Sequence, residues 1–143
     1  MLPAEAAIPG CEEVTMRWWR YGLAVFFVVA GVNHFLRPAL YVSIIPPWLP
    51  FPRALNWISG GSEIAGGAGV LIPRLQRAVG WGLIALLLAV FPANIYMASH
   101  GYSYEGHPVP GWILWGRLPL QPVFAAWVYF ACLRRKDAGH AGS

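Results

Sequence analysis

The sequence predicts an all-α integral membrane protein, a four-transmembrane-helix bundle running up-down-up-down, and three observations predict it. Only 11% of the 143 residues are charged and 57% are hydrophobic, whereas soluble domains carry about a quarter charged residues. Four apolar segments, at about 18–36, 54–72, 76–98 and 112–133, each come near the 20 or so residues that a bilayer crossing requires. Basic residues sit at alternate segment ends: Arg17 and Arg20, then Arg74 and Arg77, then Arg134, Arg135 and Lys136. By the positive-inside rule this pattern puts both termini in the cytoplasm.

Each element follows from its own residues. The first segment, "WWRYGLAVFFVVAGVNHFL", opens with tryptophans suited to the headgroup region. It also has the look of a signal peptide, but its apolar character continues through Phe35 and Leu36, so an uncleaved span is expected. The loop after it, "RPALYVSIIPPWLPFPR", is too apolar for free solvent and too rich in proline for a further span. It reads as an interfacial cap or lid. The second segment is rich in small residues, and Gly61, Ala65 and Gly69 form a stripe for close helix contact, within the bundle or in a homodimer. The short link "PRLQ" makes the second and third segments antiparallel neighbours. Residues 17–136 form the membrane domain, between poorly ordered tails at 1–16 and 137–143.

The +4 net charge does not imply nucleic acid, because no basic stripe interleaved with aromatics follows a phosphate backbone. Cys11 and Cys132 lie far apart, and no C-x-x-C pair offers dithiol chemistry. No phosphate loop, nucleophile–base pair or zinc spacing occurs, and the only partners of His34 for a metal would be Glu63 and the loop residues His100 and His107. No metal is expected.

The informative feature is a polar layer. Asn33 and His34, Ser59, Ser62 and Glu63, Asn94, and Arg117 and Gln121 interrupt the four segments. With a rise of about 1.5 Å per residue, His34 lies about 3–5 Å below the outer helix end, Asn94 about 6 Å and Arg117 about 8 Å. Glu63 and Gln121 lie at about 13 Å, still in the outer leaflet. Charged groups in lipid cost at least about 2.5–3.5 kcal/mol, so these residues should face one another. Arg117 and Gln121 share a helix face at i, i+4, as do Ser59 and Glu63. Pro92, Pro119 and Pro122 free the carbonyls of Leu88, Trp115 and Leu118 beside this layer. One internal polar pocket is expected, with Glu63 and Arg117 as its charges. Those two form either a structural ion pair or a functional one, and Asn94 and Gln121 can satisfy each other or the freed carbonyls.

"GVNHFLRP", "SGGSEIAGGAGVLIPRLQR", "FPANIYMA" and "RLPLQ", in this order, resemble the DoxX-like small membrane proteins over about residues 20–133. The resemblance implies a four-helix protein of the bacterial inner membrane, associated with redox systems linked to quinones or thiols. It carries His34, Glu63, Asn94, Arg117 and Gln121 over as a polar signature without assigning them a reaction. The expected function is the membrane component of such a system, an oxidoreductase-associated subunit with no redox cofactor motif of its own and a redox enzyme as partner. Quinone or another lipophilic ligand would bind Arg117, Gln121, Asn94, Asn33 and Ser59, while Glu63 and His34 transfer protons. A non-catalytic membrane scaffold and a lipid isomerase using Glu63 as acid are the alternatives.

Overall fold

A computed structural model describes residues 9–134 of the chain. The chain forms α1 (Pro9–Leu36), α2 (Pro38–Ser43), α3 (Pro52–Val70), α4 (Gln76–His100), the strands β1 (Ser103–Tyr104) and β2 (His107–Pro108), and α5 (Gly111–Val128). A π-helical turn, Tyr129–Leu133, extends α5. Residues 9–16, expected as tail, are the first turns of α1. Residues 1–8 and the expected tail at 137–143 lie outside the described residues, as do Arg135, Lys136 and the Cys11 side chain.

The expected four-span bundle is not supported. Two helices, Glu13–Leu36 and Gln76–His100, are long and apolar enough to cross a membrane. The other two long helices fall short for a common reason. Asn56, Ser59, Ser62, Glu63 and five glycines dilute the 19 residues of α3. Arg117, Gln121, Pro119 and Pro122 do the same to the 18 residues of α5. The orientation inferred from four crossings goes with the four-span reading.

Close contact between α1 and α3 organises the fold, and α4 then packs against both α3 and α5. A Cβ on Gly31 would fall 2.5 Å from the Gly60 carbonyl oxygen, and one on Gly67 would fall 2.8 Å from that of Ala24. Gly66 and Gly69 receive Leu83 and Val79 of α4 in the same way. Gly61, placed in the contact stripe from sequence, has nothing within 4 Å. The stripe is therefore displaced onto Gly60 and Gly67, and small residues serve contacts inside the fold on two sides of α3.

Two apolar cores form at opposite ends. Leu23, Phe27, Val70, Leu83, Val128 and Ala131 close one of them. There the widened turn brings the Ala131 carbonyl to Arg20, whose Nε donates to it at 2.9 Å. At the other end Met97, Ala98 and Leu114 pack with Ile44, Tyr102, Val109 and Leu118. The β1–β2 hairpin, which sequence reading left as loop, caps this end through Arg37, which donates to the Tyr104 hydroxyl. Its turn residues Glu105 and Gly106 have φ of 49° and 83°, as a tight two-residue hairpin requires. The proline-rich segment is no free loop. α2 folds Tyr41 onto the His34 ring at 3.7 Å, and Trp48 packs edge-on against Tyr96 at 5.2 Å.

Gly31→Val should lower the unfolding free energy by at least about 1–3 kcal/mol, since overpacking here meets backbone. Gly61→Ala should be neutral or gain about 0.5–1 kcal/mol from helix propensity. Denaturant titration of the two variants in detergent checks the pair, and equal effects would contradict the contact.

Candidate functional site

Between the two cores lies a cavity of about 480 Å³, within the range of small-molecule sites. Six of the seven expected site residues line it: His34 from α1, Ser59 and Glu63 from α3, Asn94 from α4, and Arg117 and Gln121 from α5. The seventh, Asn33, stands behind the wall, its Nδ2 donating to the Tyr41 hydroxyl at 2.8 Å. Ser62 is exposed and takes no part. The rest of the lining is almost wholly apolar, including Phe26, Leu86, Val90, Leu120 and Phe124 from the long helices and Ile44, Ile45 and Leu49 from the capping segment.

Two hydrogen-bonded couples brace this cavity. On one side His34 and Asn56 join α1 to α3. Asn56 Nδ2 donates to the His34 carbonyl at 3.1 Å, which turns its Oδ1 toward His34 Nδ1 at 2.8 Å. The ring therefore donates from Nδ1 and presents Nε2 to the cavity. On the other side Asn94 Nδ2 donates to Gln121 Oε1 at 3.0 Å, and Gln121 Nε2 donates to the Leu87 carbonyl. That carbonyl is the neighbour of the one that Pro92 leaves without its helical donor, so the amide of α5 meets α4 one residue from where the sequence suggested.

The two charged groups behave otherwise. Among the described residues Glu63 and Arg117 form no ion pair, so of the two arrangements that the sequence left open the structural ion pair is not the one seen. Glu63 Oε2 lies 3.6 Å from His34 Nε2, a contact too long for a hydrogen bond, and this buried oxygen has no hydrogen-bond partner. Arg117 reaches only Met97, with Nη1 3.7 Å from Sδ. Phe26 and Phe124, stacked 4.4 Å apart, line the cavity on the side of the first core, and Arg117 lies two turns of α5 away from Phe124.

Asn56, the residue that holds His34, was missed from sequence. Its spacing carried the signal, since Asn56, Ser59 and Glu63 fall at i, i+3 and i+7 on one helical face. Tyr41, within the proline-rich segment expected as a cap or lid, covers the histidine. Of the other histidines, His100 stacks on Tyr96 at 4.2 Å away from the cavity. Among the described residues no group of three His, Cys, Asp or Glu side chains gathers to hold a metal.

Fold and site thus define a helical protein with many large apolar side chains on its exterior and a pocket between its helices lined by polar and apolar residues together. The chain belongs to the family described as "Domain of unknown function (DUF8561)", which it matches over residues 23–132. That match replaces the expected DoxX-like membership, and it spans every residue of the pocket. No curated protein and no solved structure matches the chain. Nothing in the family match supports the redox role that the resemblance implied.

Asn56→Leu removes both bonds to His34 and should cost about 1–3 kcal/mol, the usual penalty for orphaned buried polar groups. A double-mutant cycle on Asn94→Leu and Gln121→Leu should return a coupling of about 0.5–3 kcal/mol. Unfolding titrations measure both, and a coupling of zero would contradict the amide pair.

Proposed function

We propose that this chain is a membrane-embedded binding protein for a small lipophilic molecule with a polar head. The observation that carries the reading is the convergence of seven polar side chains, from α1, α3, α4 and α5, on one cavity otherwise lined by aromatic and apolar residues. The membrane setting is supported by the outer surface. Only 11% of the apolar stretch of α4 and 22% of that of α1 are buried, whereas the core helix of a soluble protein is mostly buried. Trp18, Val25, Val29, Trp81 and Leu88 are among the large apolar side chains left outside, far more than a water-facing surface usually shows. On this reading α1 and α4 cross the bilayer, and the helical construction suits a multi-pass protein of the inner, cytoplasmic membrane.

Packing also supplies a route for the ligand. α1 lies along α3 and meets the π-helical turn that extends α5, while α4 lies along α5. Trp127 and Val128 join α5 to α1 at the first core, and Phe26 and Phe124 stack at the edge of that contact toward the cavity. A molecule dissolved in the bilayer reaches the pocket sideways between these two helices, head toward the hairpin end and tail toward the ring pair. The redox and isomerase roles expected from sequence would each add a chemical step to this binding, and the pocket itself supports the binding.

A second reading, a scaffold whose polar layer only holds helices together, is favoured by the His34–Asn56 and Asn94–Gln121 couples, each of which joins two helices. Native mass spectrometry of protein extracted gently from its host membrane separates the two. On the binding reading, wild type retains one small molecule, and Ala93→Trp, which fills the pocket wall, loses it while Leu88→Trp on the outer surface keeps it. An empty wild type, or equal retention in all three, would favour the scaffold.

A further inference from the structure

We infer that the molecule held in this pocket is a lipophilic acid, its anionic head bound by Arg117; the inference rests on the binding reading above. Charge accounting around the cavity leads to it. Arg117, Glu63 and His34 are the charged or protonatable groups that line it, and Tyr41 adds a phenol. The bond to Asn56 makes His34 Nδ1 a donor, so Nε2 turns a lone pair toward Glu63 Oε2 at 3.6 Å. Two bare acceptors at that distance repel, and one proton held by either group removes the repulsion. A couple that holds one proton is neutral as a whole, whichever partner carries it.

Arg117 is then the uncompensated charge. Among the described residues no carboxylate pairs with it, and its polar contact is the Met97 thioether, a weak acceptor, at 3.7 Å. A guanidinium stays charged under all conditions and presents donors suited to a carboxylate or phosphate in bidentate fashion. Arg117 is an exposed residue whose guanidinium lines the cavity, and a neutral head, such as an alcohol or ester, would leave it there without a counter-ion. An anion supplies one. Gln121 and Asn94, bonded to each other, hold the wall beside Arg117 rather than compete for the head.

The aromatic pair fixes the rest of the ligand. Phe124, stacked on Phe26, lies seven residues or about 10 Å along α5 from Arg117, so the molecule is an amphiphile with its acid at one end. The shared chemistry is an anionic oxygen head on an apolar tail, and both a fatty carboxylate and a phosphate monoester on a single tail possess it.

The test uses the full chain in phosphatidylcholine nanodiscs and three photoreactive probes with the same diazirine-bearing tail, ending in carboxylic acid, phosphate monoester or alcohol. Saturable labelling of peptides containing Phe26 or Phe124 is the readout. At least one acid should label about tenfold more strongly than the alcohol, the ratio expected for one charge-assisted bond. The acid that does so names the head group. Arg117→Met should bring that acid down to the alcohol's level, and Arg117→Lys should keep most of the difference. Equal saturable labelling by acids and alcohol in wild type overturns the inference and leaves the pocket reading standing. No saturable labelling by any probe overturns both.

Discussion

Gly31 and Gly60 meet where no side chain fits, and the rest of the structure depends on that contact. With a Cβ on Gly31 only 2.5 Å from the Gly60 carbonyl, α1 and α3 are held at backbone distance. One turn away the same approach brings His34 level with Asn56, which grips its ring and its carbonyl. Two turns in the other direction it seats Gly67 against Ala24. α1 meets α5 at the first core, where Gly22 faces Trp127 and Phe26 stacks on Phe124, and the space left between the helices beyond that contact is the cavity.

The polar groups around that cavity divide by how they are satisfied. Asn56, Asn94 and Gln121 spend their amides on holding helices together, and removing any one of them leaves a buried partner exposed to the usual penalty. Glu63 and Arg117 are different, because the first keeps an unbonded buried oxygen and the second finds only a thioether. The Glu63 oxygen is buried and unbonded, and the Arg117 guanidinium is exposed at the cavity without a carboxylate partner among the described residues, so these are the two pocket groups free to meet a ligand. Structure and function thus use neighbouring residues of one layer rather than the same ones.

Sequence reading recovered the polar layer well because its cause is local. A charged or amide side chain on an apolar helix has to face inward, and helical spacing says which of them share a face. That logic found His34, Glu63, Asn94, Arg117 and Gln121 without knowledge of the packing. It did not find which groups pair, since a depth along each helix leaves rotation about its axis open, and Glu63 turns to His34 instead of Arg117. Nor did it separate Gly60 from Gly61, adjacent residues that differ by about 100° around the helix. The number of spans was overestimated because apolar length was counted without weighing how far Glu63, Arg117 and the prolines dilute it. The resemblance to a known family misled for a related reason: short motifs around prolines and amides recur wherever broken helices line a cavity.

An experimental density map of the chain purified with its native lipids, at a resolution that shows side chains, tests the central claim most directly. The account requires elongated density between α1 and α5, with a polar end within hydrogen-bonding distance of Arg117 and an apolar end against Phe26 and Phe124. A cavity closed by direct pairing of Arg117 with Glu63, with no density between the helices, would contradict it.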